Sequence, residues 1–386
     1  MNILHFAFDE KVIPLTHSLY EQAFPGKNTW KIFVPSQQKT QFVTQLQDVS
    51  VVSEGYFNSE TLEIDLQNAD CIVIHYLFRI HKNVLEKVPS HTLVVWHSWG
   101  RDYAHLLAPY TTNVTMKRSK YLERFSKSLE FLDPKITFSQ KISRLKQVFI
   151  KQLKQPDFLY QRIDVVSIQP ELYPILRKAI PTLRAKNHYL NSYTVENTYA
   201  IGPPAFSGNA ILLGNSAYAS NNHIEAILML KKLPLQTDTK IITPLNYGSS
   251  SYAKLINYFG KKHLGASRFE GLTDFLPLAD YYTKIKDCGI VIMNHTRQQA
   301  RGNINTALYK GAKVFLRNEN PIYQQCKQLG MHIFSVQDLE TGLANTQALS
   351  AAQINHNKAI LESQWSRAHA IRAIKALAHL YTKKNK

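Results

Sequence analysis

Asp287-Cys-Gly-Ile-Val-Ile-Met-Asn-His-Thr-Arg-Gln-Gln-Ala-Arg-Gly-Asn-Ile-Asn-Thr-Ala-Leu-Tyr-Lys-Gly-Ala-Lys-Val-Phe-Leu-Arg-Asn-Glu-Asn-Pro321 decides the fold class. Gly289 to Met293 is a short apolar run of the kind buried on both faces of a parallel sheet. A basic polar loop follows, then helical spacing from near Gly302, then a second apolar run from Lys313 to Leu316. Strand, loop, helix and strand in that order make one unit of a parallel α/β sheet. The loop carries His295, Arg297 and Arg301, with Gly302 and Asn303 at the helix start. Arginines just ahead of a helix N-terminus form an anion site. Free backbone N–H groups, the positive end of the helix dipole and the guanidinium forks all converge there. The anion this predicts is a nucleoside diphosphate.

Working outward, the same alternation fills both halves of the chain. Candidate strands in the first half are Ile3–Phe8, Lys31–Val34, Val49–Val52, Cys71–Tyr76, Thr92–His97 and Ile163–Ile168, with helical patterns at Lys39–Leu46, Tyr121–Leu132 and Lys141–Leu153. A second series begins with Ala210–Gly214 and continues through a helix at Asn222–Lys232, a strand at Lys240–Thr243 and a helix at Ser250–Phe259. The polar, Tyr- and Pro-containing stretch 181–204 reads as a linker. The prediction is two Rossmann-like domains, 1–185 and 205–350, facing one another across a cleft. The Ala-rich helical pattern that closes the chain, 351–386, is a candidate to pack back on the first domain.

Composition narrows the function classes. At 386 residues, 44% hydrophobic and 11% aromatic, the chain can build two cores. No apolar run approaches the roughly 20 residues of a membrane span. The N-terminus opens directly on strand-like residues with no basic leader, so a cytoplasmic location is expected. Cys71, Cys288 and Cys326 are too few and too scattered for a disulfide framework. The net charge of +18 predicts an anionic partner, and no nucleic-acid-binding module accompanies it. Eleven Lys and Arg face three Asp and Glu between Lys117 and Lys154. Such a segment suits the anionic cytoplasmic face of a membrane, or is simply a solvated helix face.

Three further motifs carry chemistry. Gly214-Asn-Ser216 ends a strand in a small-residue turn that a phosphate can approach, and Ser220 or Asn221 is placed to cap the next helix; the bland alternative is an ordinary strand–turn–helix. Tyr247, before Gly248, can stack on a base or bond a phosphate, or merely belong to a serine-capped turn. Val94-Val-Trp-His-Ser-Trp-Gly-Arg-Asp102 gathers His97, Trp99, Arg101 and Asp102 at a strand end, where rings suit sugar faces. Asp102 is there the candidate base for an acceptor hydroxyl, or else pairs with Arg101 or caps a helix. His5, Asp9, His17 and His75 lie near other strand ends and read as structural. Neither a G-x-G-x-x-G nor a P-loop is present, and no acidic DxD pair sits at a strand end for a metal. No metal and no cofactor are therefore expected.

In this order and spacing, Trp96-His-Ser-Trp-Gly-Arg-Asp102, Gly214-Asn-Ser, Ser220-Asn-Asn-His-Ile224, Pro244-Leu-Asn-Tyr247, Arg297-Gln-Gln-Ala-Arg-Gly302 and Asn318-Glu-Asn-Pro321 resemble one known group. It is glycosyltransferase family 56, the bacterial N-acetylfucosaminyl (4-acetamido-4,6-dideoxygalactosyl) transferases, also called 4-alpha-L-fucosyltransferase-like. The resemblance implies a GT-B fold and metal-independent transfer of N-acetylfucosamine or fucose from a nucleoside-diphosphate donor, with dTDP expected. The implied acceptor is a polyprenyl-diphosphate-linked saccharide, in surface-glycan synthesis of the enterobacterial common antigen kind. The enzyme would then sit peripherally on the inner membrane through 117–154. Carried over by position, Gly214, Asn215, Ser216 and Tyr247 line the donor. Arg297 and Arg301 face its phosphates, with Glu319 and Asn320 near the nucleotide and His295, Gly302 and Asn303 completing the donor-binding set. Asp102 is the base, and His97, Trp99 and Arg101 meet the acceptor. A soluble glycan or protein acceptor, or a non-catalytic basic α/β protein binding nucleotide or nucleic acid, are the rival readings.

Overall fold

Thirteen strands carry the described part of the chain, which in this computed structural model comprises residues 1–35, 40–46, 48–100, 102–107, 114–132 and 158–386. They form two parallel sheets in two compact units. The first unit gathers residues 1–110, 152–194 and 365–386; the second gathers 111–151 and 195–364.

The first sheet contains β1 (Ile3–Phe8), β2 (Asn28–Phe33), β3 (Val49–Val52), β4 (Cys71–His75), β5 (Leu93–His97), β6 (Val165–Ser167) and β7 (Lys186–Asn187), in the order β3-β2-β1-β4-β5-β6-β7. Every residue of β4 and β5 is buried, as continuous apolar runs require at the centre of a doubly covered sheet. Side chains alternate between two cores. Phe6, Ile72, Ile74, Val94 and Trp96 enter one, and Ile3, Ala7, Cys71, Val73 and Val95 the other. Helix Ile13–Ala23 covers the second core, and helix Arg367–Lys384 packs beside it through Ala370, Ile374 and Leu377. Lys384 completes the docking, its Nζ donating to Asp164 Oδ2 at 2.6 Å and to Thr92 O at 2.7 Å.

The second sheet contains β8 (Ile211–Leu213), β9 (Ile241–Pro244), β10 (Phe269–Leu272), β11 (Ile290–Met293), β12 (Lys313–Leu316) and β13 (Phe334–Ser335), in the order β10-β9-β8-β11-β12-β13. Each unit runs outward from its first strand in one direction, then returns to its fourth on the other side. That reversal makes a switch point between β8 and β11, where the loops at the strands' carboxyl ends diverge and leave room for a ligand.

Several elements depart from the reading of the sequence. The expected helix at Lys39–Leu46 is turns over its described residues, 40–46, where the Asp9 carboxylate accepts the N–H groups of Gln41, Phe42 and Val43. The pattern at Lys141–Leu153 lies outside the described residues. β7, β10 and β13 were not anticipated; they are short and lie toward the sheet margins, formed by pairing with a neighbour rather than by their own apolar runs. The closing helix is two helices, Ala351–Trp365 and Arg367–Lys384, with Ser366 Oγ capping the second by accepting from His369 N at 3.3 Å. Helix Lys117–Leu132 belongs to the second unit, although the sequence reading placed it in a first domain running to residue 185.

Candidate functional site

Gly214 follows β8 with φ +68°, and its N–H donates to Ile292 O of β11 at 2.9 Å. A Cβ there would lie 2.8 Å from Asn221 Oδ1 and 3.0 Å from His223 Nε2, so the position demands glycine on two counts. Asn221 then holds the turn shut. Its Nδ2 donates to Ser216 O at 3.0 Å, Ser216 Oγ at 3.1 Å and Tyr218 O at 3.0 Å, while its Oδ1 accepts from Asn215 N at 3.0 Å. Neither Ser220 nor Asn221 caps the following helix, His223–Leu230; the N-cap is Asn222, in the left-handed region at φ +52°. The turn after β9 lies alongside, zipped on by Ala217 N donating to Tyr247 O at 2.7 Å and by a parallel bridge between Ala217 and Gly248. Tyr247 is 68% exposed, and its ring meets Tyr218 edge-on at 5.7 Å.

The loop after β11 closes the other side. His295 Nε2 lies 2.8 Å from Asn221 Oδ1, Gln299 Nε2 donates to Asn215 Oδ1 at 2.9 Å, and Ser220 Oγ donates to Gln299 Oε1 at 2.8 Å. Arg297 Nη2 reaches Ser220 Oγ at 3.4 Å. From beyond β12, the buried Asn320 side chain donates to His295 O at 3.1 Å and Arg297 O at 2.9 Å, and caps helix Pro321–Gln328 through Ile322 N. Helix Arg301–Tyr309 starts at Ala300 with φ +58°, an N-cap residue whose side chain caps nothing, and a helix N-terminus attracts anions. Arg301 is 9% exposed and donates to Gln325 Oε1 at 2.6 Å, while Gly302 faces open space. Asn303 is half-buried in the same first turn.

The structure thus gathers Gly214, Asn215, Ser216, Tyr247, His295, Arg297, Arg301, Gly302, Asn303 and Asn320 around the β8–β11 switch point. Glu319 stands at its margin, restrained by Gln337 Nε2 at 2.7 Å and Arg317 Nε at 3.4 Å. Burial alone would raise its carboxyl, but those donors and a backbone N–H outweigh it and lower the pKa. Asn221 and Gln299 were not assigned donor-site roles in the sequence. Their signal was there, since two adjacent asparagines after a small-residue turn become informative once buried.

Burial drops the pKa of His223 to about 3 and, with His223 and Arg297 nearby, that of His295 to about 3, so both rings are neutral. His223 Nε2 and His295 Nδ1 are buried without a hydrogen-bond partner. Among the described residues, no three His, Cys, Asp or Glu side chains come together as metal ligands do.

The first unit's strand-end corner differs from expectation. Asp102 is 2% exposed and accepts four hydrogen bonds: Trp96 Nε1 at 2.7 Å, Leu77 N at 3.3 Å, Trp99 N at 3.1 Å and Gly100 N at 3.0 Å. Burial raises its pKa and those donors oppose the rise. A buried carboxylate that accepts four N–H donors braces the turn, alongside the role of base expected for it from the sequence. His97, expected to meet the acceptor, is 2% exposed, with Nε2 against Leu190 O at 2.9 Å. It belongs to a ladder across the sheet: Trp30 stacks on His5 at 3.8 Å, His5 on His75 at 5.4 Å, His75 tilts to His97 at 5.0 Å, and His97 stacks on Trp99 at 4.5 Å. Trp99 keeps a partly exposed ring, and Arg101 lies outside the described residues.

Comparison with known proteins bears on the family and the fold. The family model described as 4-alpha-L-fucosyltransferase, glycosyl transferase group 56, matches residues 183–372. Among solved structures, the apo lipopolysaccharide outer core galactosyltransferase WaaB superposes with a TM-score of 0.63 at 7% identity, covering 98% of this chain and 99% of that one. Anabaena HepE in complex with UDP and glucose gives 0.60 at 12% identity, covering 99% and 100%. The Candida albicans trehalose-6-phosphate phosphatase N-terminal domain gives 0.61 at 7% identity, covering 100% and 97%. At these identities the likeness concerns the fold, which is GT-B.

Proposed function

Because residues 183–372 belong to glycosyl transferase group 56 and the chain is a nucleotide-sugar glycosyltransferase, we propose that it moves a deoxy or acetamido sugar, N-acetylfucosamine or fucose, from a dTDP donor. The observation that carries this is the convergence of the Gly214 turn, Arg297, Arg301 and the open start of helix Arg301–Tyr309 on one switch point. The Gly214–Ser216 turn admits the diphosphate to the backbone, and Tyr218 and Tyr247 offer ring faces to the base. As the sugar leaves, negative charge grows on the diphosphate. Fixed cations and oriented N–H groups stabilise that charge in place of a metal ion, without having to reorganise.

The acceptor in this reading is a polyprenyl-diphosphate-linked saccharide at the cytoplasmic face of the inner membrane, with the partly exposed Trp99 stacking on a sugar ring. Support comes from the net charge of +18 and its concentration after Lys117. A donor screen tests the proposal: dTDP, UDP and GDP sugars are incubated with and without a polyprenyl-diphosphate saccharide, and release of nucleoside diphosphate is scored. Acceptor-dependent release from a dTDP deoxysugar is expected. Release that occurs equally well with a soluble glycan, or only from UDP or GDP sugars, would overturn the acceptor or the donor assignment respectively.

A further inference from the structure

Helix Lys117–Leu132 is built inside out. The residues it turns toward the second unit are Ser119, 0% exposed, Ser126, 1% exposed, and the partly buried Leu122, which packs on that unit's core. Its large apolar side chains point the other way: Tyr121 is 61% exposed, Phe125 54% and Leu129 41%. Their spacing of four places them in one stripe, since a helix turns about 100° per residue. Lys120, Arg124 and Lys127, all exposed and spaced four and then three residues apart, form a second stripe along the outward face, with Lys127 Nζ donating to Glu123 Oε1 at 2.7 Å. Lys117 and Arg118 are exposed at the helix start.

This orientation is held in place. Glu225 Oε1 accepts from Arg118 N at 2.8 Å and Ser119 N at 3.1 Å, satisfying the first turn of helix Lys117–Leu132. Ser119 Oγ returns the favour by accepting from Ile224 N at 3.3 Å, in the first turn of helix His223–Leu230. Met116 N donates to Asn222 Oδ1 at 2.7 Å. Two helix N-termini cap each other, so the helix cannot roll to bury its aromatic stripe without breaking both caps. Serines inward allow close approach to helices His223–Leu230 and Ser250–Leu264, and they leave the aromatics for another surface.

We propose that this outward face is a membrane-docking surface: Tyr121, Phe125 and Leu129 enter the headgroup–acyl boundary of an anionic bilayer while Lys117, Lys120, Arg124 and Lys127 meet its phosphates. The charge complementarity selects this occupant, because an apolar stripe flanked by a cationic one is the pattern of an interfacial helix. Among the described residues no helix is long and apolar enough to cross a membrane. The inference deepens the membrane-surface part of the proposed function and rests on it. It assigns the attachment to the second, donor-binding unit and gives it an apolar as well as a basic component.

The test uses the full chain and vesicles of equimolar phosphatidylcholine and phosphatidylglycerol, scored by co-sedimentation. The combined variant Tyr121→Ser, Phe125→Ser, Leu129→Ser should weaken partitioning on the order of 100-fold, whereas Lys120→Gln, Arg124→Gln, Lys127→Gln should weaken it and remove its salt dependence. Thermal shift by dTDP verifies that each variant is folded, because these side chains do not belong to the donor site. Unchanged partitioning in the serine variant overturns the proposal. So does equal binding to pure phosphatidylcholine, or a wild-type dimer that the serine variant dissolves while vesicle binding is absent. If vesicle binding follows the stripe but no nucleotide sugar is turned over, the docking surface stands and the transferase reading falls.

Discussion

His295 donates from Nε2 to the Asn221 amide oxygen at 2.8 Å, which fixes the ring's tautomer and leaves Nδ1 as a buried, unpartnered acceptor. The amide's orientation follows from its Nδ2, which already donates to Ser216 O and Tyr218 O. One asparagine therefore ties the turn after β8 to the loop after β11, across the switch point where the donor is proposed to bind. Asn221→Ala removes that link and strands several buried groups, each costing about 1–3 kcal/mol. A fall in unfolding free energy accompanied by loss of dTDP-induced stabilisation is expected in denaturant titrations. Full retention of nucleotide binding would show that the turn does not shape the site.

Gly214→Ala tests the same turn from the backbone side. The substitution asks a left-handed φ of an alanine and drives its Cβ to 2.8 Å from Asn221 Oδ1. Calorimetric titration with dTDP should show affinity reduced at least tenfold, with the chain still folded. Affinity equal to wild type would mean that the diphosphate does not approach this turn.

Arg297→Ala and Arg301→Ala separate charge stabilisation from binding. A fixed donor aimed at developing charge is worth about 10²–10³ in rate, so kcat should fall by that order in steady-state release of nucleoside diphosphate. The two need not be equal, since Gln325 holds Arg301 at 2.6 Å whereas Arg297 reaches Ser220 at 3.4 Å. Wild-type kcat in both variants would remove the arginines from the mechanism.

Asp102→Asn distinguishes a brace from a base. Four N–H donors point at this carboxylate, and an amide must turn an NH₂ toward at least one of them. A melting temperature lowered by several degrees is expected, with the residual transfer rate following the folded fraction. A stable protein that binds dTDP normally yet transfers nothing would restore the catalytic reading of Asp102.

The elements at the switch point were legible because they are consecutive: a strand, a glycine turn, and two arginines before a helix announce themselves within a few residues. Braces were not. Asn221 is an ordinary polar letter until burial shows that it gathers hydrogen bonds from loops far apart in sequence, and nothing in the sequence shows that Asn320 holds the loop after β11 through His295 O and Arg297 O. Asp102 shows the same limit, since a carboxylate beside aromatics reads alike in sequence whether it faces a substrate or the four N–H groups it is seen to accept. The short strands at the sheet margins, β10 and β13, carry little apolar periodicity of their own, so only their neighbours reveal them. Helix Lys117–Leu132 was visible, but its inward serines and outward aromatics invert the usual pattern, and no wheel drawn from sequence says which side is core.

The histidine ladder gives the molecule an acid sensitivity whose sign can be worked out. Burial lowers the pKa of His5 and of His97 to about 3, with the Asn28 hydrogen bond to His5 and the Leu190 carbonyl on His97 opposing the drop. His75, between them, is also lowered well below its usual value, by burial first and then by His97, His5 and His81. Unfolded, each ring would titrate near 6.5, so between about 6.5 and about 3 the unfolded chain holds more protons than the folded one. Stability is therefore complete above the unfolded value and is lost as the pH falls through this window, at up to about 1.4 kcal/mol per pH unit for each ring. His223 and His295 add the same sign in the second unit. Denaturant midpoints measured from pH 7 down to pH 4 should decline steeply. His97→Phe preserves a ring to stack on Trp99 while removing one titrating group, so its slope should be shallower by about one proton. An unchanged slope would mean that His97 is not the neutral, buried rung the geometry describes.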